Sequence, residues 1–346
     1  MRQRPSEPTL PLTSDSDETF VPDPTASPAG PTTGRLQLLV SACLLGQQVR
    51  YDGQHKYDPF LVETLGPFVE WRPVCPEVGS GLPIPRPSMH LVGDPAAPRL
   101  VSRRGEDLTL PLLVYTARQL DELAEVELCG YVCKKDSPSS GMTRVRVYDA
   151  QGHATRNGVG LFTAAFRQRY PLVPVEEEGR LRDARLREAF IEQIFCRRRW
   201  LDLVAGGRSR GRLVEFHADH KYLLLAHGRT GYTELGRLVA AAGDLSVEEL
   251  FARYEERFMA ALAQRTTIKK IGDVLLHMQG FFKKWLTADE KAELLETFEL
   301  YRQSLVPLIV PVTLIKHYVR KYQVTYLARQ VFLSPYPAEL LLRNHV

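Results

Sequence analysis

No stretch of this 346-residue sequence holds the roughly 18 consecutive apolar residues that a membrane-spanning helix requires, so no membrane partner is expected. The first residues also lack a charged lead-in followed by an apolar run, and the expected location is therefore cytoplasmic rather than secreted. Cysteine is scarce. Five of them, an odd number, argue against a disulfide framework and leave the thiols as buried hydrophobes, metal ligands or catalytic groups. A large charge of one sign is missing too: the formal net charge is only +4. It is unevenly placed, because residues 196–346 carry 23 Lys and Arg against 16 Asp and Glu, which makes that part the basic, partner-binding candidate.

What is present is an ordinary globular composition, 44% hydrophobic and 25% charged, at a length that suggests two domains. Residues 1–34, dominated by Pro, Ser, Thr and Asp, have too few large apolar groups to offset the entropy of ordering and are read as a disordered tail. An apolar run at 35–40 and short segments at 68–74 and 130–133 read as strands, with Pro73 weakening the second, and helical spacing covers 110–123. This alternation predicts an α/β domain over 35–171 with a Rossmann-like layered sheet. Residues 172–204 read as a linker, polar and with three consecutive Glu over 173–179, followed by a connecting helix. Beyond it, helical patterns at 212–227, 232–242, 247–264, 269–285, 288–304 and 311–332, with short loops, predict an all-α helical bundle domain over 205–346.

Each predicted strand feeds a polar or Gly/Pro-rich loop at its carboxyl end: Cys43-Leu-Leu-Gly, Cys75-Pro-Glu-Val-Gly-Ser-Gly and Lys134-Lys-Asp-Ser-Pro-Ser-Ser-Gly. Ligands of open α/β sheets bind at that edge, where residues distant in sequence converge. A lone cysteine is more often packing than chemistry. Cys43 and Cys75, however, both sit at strand ends beside tight turns, and Glu77 stands two residues from a thiol, where a carboxyl can act as general acid or base. Arg50 reads equally as part of an internal turn with Asp52 and Gly53 or as a phosphate contact; Lys56 is a second candidate for such a contact. Arg86, between two prolines, is either structural or a substrate contact, and Gly79 and Gly81 are read as bends or points of close backbone approach.

The ordered strings Ser41-Ala-Cys-Leu-Leu-Gly, Val49-Arg-Tyr-Asp-Gly, Val74-Cys-Pro-Glu-Val with Gly81-Leu-Pro-Ile-Pro-Arg, and Lys135-Asp-Ser-Pro-Ser-Ser-Gly resemble the bacterial thiouracil desulfidase family. The downstream strings Phe216-His-Ala-Asp-His-Lys, His277-Met-Gln-Gly and Val310-Pro-Val-Thr-Leu look like the helical domain fused to it in transfer-RNA 4-thiouridine desulfidases. The resemblance implies a 4Fe–4S cluster bound by three cysteines with one iron open, the thiocarbonyl sulfur binding there and leaving as sulfide. It implies Cys43 and Cys75 as ligands, Glu77 as acid/base and Ser137 as a serine near it. The third family cysteine is replaced by Ser140, a harder donor of far higher pKa. The third ligand is then either Ser140 itself or Cys133, at the end of the strand entering the same loop, if Lys134 faces away. Cys129 lies too far back along that strand, and Cys196 is expected to pack. The implied activity is conversion of 4-thiouridine in tRNA to uridine; the alternatives are a desulfidase of free thiouracil bases and a non-catalytic RNA-binding protein with a decayed cluster site.

In the helical part, His217, His220 and His227 lie on one predicted helix, but nothing completes a metal set and hydrogen-bonded histidines are the plainer reading. Four groups of cations, most beside aromatic rings, point toward RNA: 197–200, 208–212, 281–285 and 317–322.

Overall fold

A computed structural model describes residues 35–345, so the tail expected over 1–34 lies outside the described residues. Two four-stranded sheets occupy the N-terminal half. The first, ordered β2-β1-β5-β8, joins β1 (Leu36–Ser41), β2 (Val69–Val74), β5 (Leu128–Cys133) and β8 (Val175–Glu177), every pair parallel. Its central strands read as unbroken apolar runs because both faces are covered. On one face Leu39, Tyr131 and Cys133 pack against Phe162 and Phe166 of α3 (Leu161–Arg169) and Leu120 of α2 (Thr109–Glu122). On the other, Leu38, Val40 and Val132 meet Phe190, Ile191 and Ile194 of α4 (Ala184–Ala205). Pro73 is tolerated because β2 is an edge strand, where a missing ladder donor costs little.

The second sheet, ordered β4-β3-β6-β7, was not foreseen. It comprises β3 (Met89–Val92), β4 (Arg99–Ser102), β6 (Val145–Tyr148) and β7 (Ala154–Gly158), and buries Leu91, Leu100, Val145 and Val147 on one face only.

The stretch 173–179, read as a polar linker, instead contains β8. Its glutamates are buried and satisfied: Glu176 pairs with Arg180, Glu177 accepts from the backbone N–H groups of Met142 and Thr143, and Glu178 pairs with Lys134. The connecting helix α4 is a spine shared by both halves, since Phe190 to Phe195 belong to the sheet's core while Cys196, Trp200 and Leu203 belong to the helical one.

The remaining helices, α5 (Arg210–Asp219), α6 (Lys221–His227), α7 (Arg229–Ala240), α8 (Val247–Leu262), α9 (Ile268–Gln279), α10 (Ala288–Arg302), α11 (Ile309–Lys321) and the short α12 (Thr325–Ala328), form the predicted helical region. The helix expected over 212–227 is broken at His220, and the one over 311–332 ends early. The chain end then returns, placing Tyr336, Leu340 and Leu342 in the core beside α4 and the sheet. No helix among the described residues is long and apolar enough to cross a membrane.

Candidate active site

The register of the parallel sheet sets Ser41 beside Val74, so Cys43 and Cys75 leave neighbouring strands at the same edge. Cys43 lies in a 3-10 turn (Ala42–Leu45), and Cys75 precedes the short helix α1 (Pro76–Gly79). The loop after β5 closes the third side. Together these segments enclose a cavity of about 380 Å³ lined by Cys43, Cys75, Glu77, Ser137, Ser139 and Ser140, with Arg50, Lys56, Arg86, Lys134 and Lys135 around them. Burial pushes the Cys43 thiol up to about 11, against the pull of the Lys134 ammonium, and burial also raises Cys75.

Glu77 is the best-held carboxylate of the cavity. Arg86 Nε donates to its Oε2 at 3.2 Å, Arg86 Nη2 donates to the same oxygen, and Ser139 Oγ donates to Oε1 at 2.8 Å. Ser139 was not singled out from sequence. Ser137 is one step further back: its Oγ is 3.0 Å from that of Ser139 and accepts from the backbone N–H groups of Ser139 and Ser140 at 3.3 and 3.1 Å. Ser137 thus shapes the loop and reaches Glu77 through its neighbour.

Arg86, a candidate substrate contact, lines the cavity and is held there by the protein itself. Its side chain is 3% exposed, and besides the ion pair it donates to the carbonyls of Val49 and Pro83, which leaves the guanidinium little to offer a ligand. Arg50 pairs with Asp52 at 3.3 Å in the anticipated turn and also lines the cavity. Lys56 lines it as well, with no acidic side-chain partner among the described residues. Gly79 packs so tightly on the Tyr115 ring that a Cβ would sit 2.2 Å from it, while Gly81, at φ +91°, makes the bend.

Cys133, expected as a substitute ligand, faces the other way. Strand alternation turns Lys134 toward the cavity and Cys133 into the core with Leu39, Tyr131 and Phe162, fully buried. Cys129 and Cys196 are likewise packed in cores. Ser140, 3% exposed, stays on the cavity wall. Among the described residues no three His, Cys, Asp or Glu side chains gather as a metal site, which applies equally to the histidines of the helical region. His217 contacts the Tyr254 hydroxyl, His220 the Phe216 carbonyl, and His227 Glu192. Two thiols and one buried hydroxyl thus line the cavity. Thiolates are the donors that iron–sulfur clusters take, and the hydroxyl is a harder donor in the position of a third.

Of the four cationic groups in the helical part, the first is largely turned inward, while the second keeps an exposed Arg208 and has no acidic side-chain partner among the described residues. Arg197 and Arg198 pair with Glu255, Glu127 and Asp202, Trp200 is 1% exposed, and Arg210 and Arg212 bond to backbone carbonyls. Around 281–285 the rings remain accessible: Phe281 and Trp285 are 38% and 48% exposed, stacked on Tyr326 and Tyr322 beside Lys283 and Lys284. Lys321, in the fourth group, is paired with Glu290.

Fold and cavity define a protein with a layered α/β part, whose parallel sheet carries thiols, a clamped carboxylate and serines at its carboxyl edge, joined to a helical region. Residues 38–178 match the 2-thiouracil desulfurase family, and residues 221–337 match a family described as protein of unknown function (DUF1722). A solved structure of the 4Fe–4S-dependent thiouracil desulfidase TudS is 32% identical and aligns with 43% of this chain and 95% of its own, at a TM-score of 0.37. The uncharacterized protein YbgA of Escherichia coli (strain K12) is 29% identical over 139 residues, 40% of this chain and 82% of its own length. The uncharacterized protein YbbK of Bacillus subtilis (strain 168) is 28% identical over 113 residues, 30% and 72% respectively. Residues 38–178 are thus similar to the 2-thiouracil desulfurase family.

Proposed function

We propose that the chain is a 4Fe–4S-dependent desulfidase that converts 4-thiouridine in tRNA to uridine. The observation that carries the reading is the convergence of Cys43, Cys75 and Glu77 on one cavity inside the segment that matches the desulfurase family. Cys43, Cys75 and the Ser140 hydroxyl are the residues that would hold the cluster. When bound, it supplies a thiophilic iron that draws sulfur away from the thiocarbonyl carbon. The protein's own part is proton handling and positioning. Glu77, oriented by Arg86 and Ser139, takes the proton from the water that replaces sulfur at that carbon. Lys56 and Lys135, both without an acidic side-chain partner among the described residues, offer charge to a ligand phosphate.

The tRNA substrate is supported by the accessible Phe281 and Trp285 rings beside Lys283 and Lys284, because rings stack on unpaired bases and cations neutralise phosphates. A free thiobase is the second reading, favoured by the thiouracil named for the 32%-identical TudS. Anaerobic incubation of cluster-loaded protein with thiolated tRNA, followed by the thiouridine absorbance, separates them. Loss of that band is expected, abolished in Cys75→Ala and retained in Cys196→Ala. Turnover of free thiouracil with thiolated tRNA untouched refutes the tRNA substrate.

A further inference from the structure

The second sheet has one face without a partner. Leu91, Leu100, Val145 and Val147 point to the core, and strand alternation therefore puts Arg99, His90, Tyr148, Arg146 and Arg156 on the opposite face. The four strands hold three arginines, one histidine and no carboxylate. Arg146 and Arg156 are direct cross-strand partners, both exposed. Like charges placed opposite one another in a sheet are unfavourable, and neither arginine has an acidic partner among the described residues. Arg103, Arg104 and Arg144, exposed in the adjoining turns, have none either. The nearby acids are engaged elsewhere: Asp107 with Arg99, Glu106 with the Ser102 hydroxyl, and Asp94 and Asp149 with the backbone of their own turns.

The sheet that carries this positive face reaches the cavity at one end. Ser88 and Met89, where β3 begins, line it. The chain enters β6 only a few residues after cavity-lining Ser140, and Gly160, just past β7, lies against the backbone of Ser139 and Ser140. The Arg146 and Arg156 pair therefore sits within two residues of the cavity end of the sheet. Alongside it, His90 and Tyr148 present an edge-to-face ring pair with centroids 5.2 Å apart.

We propose that this face binds the phosphate backbone of the RNA strand carrying the thiolated base, which rests on the RNA reading of the cavity. The unpaired Arg146 and Arg156 are complementary to phosphate groups, and a bound phosphate would relieve their mutual repulsion. A base delivered to the cavity then has its own backbone held beside the opening, on the α/β part itself rather than on the helical region.

The test uses full-length protein and thiolated tRNA, with binding followed by fluorescence anisotropy across a salt series. Arg146→Glu is expected to weaken binding tenfold or more and to lower the steepness of log K against log salt by about one. The same substitution sets an opposite charge against Arg156, so the melting temperature should hold or rise, which separates lost contact from lost fold. Arg156→Glu should behave alike. Unchanged affinity and salt slope in both variants, with the unaltered protein binding RNA, overturns the role of this face and leaves the desulfidase reading standing. Failure of the unaltered protein to bind or desulfurize thiolated RNA overturns the RNA reading itself, and this proposal with it.

Discussion

Arg86 and Glu77 form a buried ion pair in which the guanidinium side chain is 3% exposed and the carboxylate side chain 14%. The arginine is locked by the carbonyls of Val49 and Pro83, so the carboxylate is aimed by a group that cannot itself swing away. Glu77→Gln keeps the shape and loses the base. Desulfidation should fall by about 10² to 10⁴ while iron content per chain stays the same. Equal loss of iron and activity would make Glu77 a structural rather than a proton-handling residue.

Arg86→Lys should be milder and informative in a different way. An ammonium keeps the charge but cannot reproduce a fork that reaches one carboxylate and two carbonyls. The turnover number should drop on the order of tenfold with little change in KM, since the orientation of Glu77 is disturbed more than the cavity wall. An altered KM with unchanged turnover would instead place Arg86 on the substrate.

Ser140→Cys supplies a third thiol on the cavity wall where the native chain has a hydroxyl. A thiolate binds iron far better than an alcohol at neutral pH. The variant should hold iron closer to about four per chain after aerobic purification, with a stronger charge-transfer absorbance, than the native protein. If reconstituted native and variant proteins retain equal iron at equal rates, Ser140 is not facing the cluster.

The residues that made the cavity legible in advance share one property: each stands at the carboxyl end of a strand. β1 and β5 are buried apolar runs and β2 a mixed edge strand, and their ends carry Cys43, the serine loop and Cys75 respectively. The second sheet left no comparable trace. Its strands are four or five residues long, and β7 (Ala154–Gly158) is exposed at four of its five positions. β8 was hidden for the opposite reason. Three glutamates look like solvated linker until folding brings Arg180, Lys134 and the Met142 and Thr143 backbone to them. The inward direction of Cys133 depended on a one-residue phase of β5 that composition does not reveal.

His227 and Glu192 tie α6 to α4, and the tie depends on pH. His227 Nδ1 lies 2.6 Å from the Gln264 carbonyl and Nε2 lies 2.5 Å from Glu192 Oε1, so both ring nitrogens donate when the ring is charged. Burial alone would push its pKa down, but the Glu192 carboxylate, by charge and hydrogen bond, outweighs burial and the nearby Lys270 and raises it. Arg343 lies near the other carboxylate oxygen, Glu192 Oε2, at 3.8 Å. A histidine with a raised folded pKa stabilises fully below its unfolded value of about 6.5, and that contribution is lost as pH climbs through the raised one. His217 and His220 act on the acid side. Burial lowers them to about 4 and about 3, so below about 6.5 the unfolded chain binds protons that the fold refuses. The melting temperature should therefore peak near pH 6.5 and fall on both sides. His227→Gln should cost on the order of 3 kcal/mol at the peak, as for a broken buried pair, and should flatten the alkaline limb while leaving the acid limb in place. Melting curves across this range decide it: an alkaline limb as steep in His227→Gln as in the native protein would assign the pH dependence to another group.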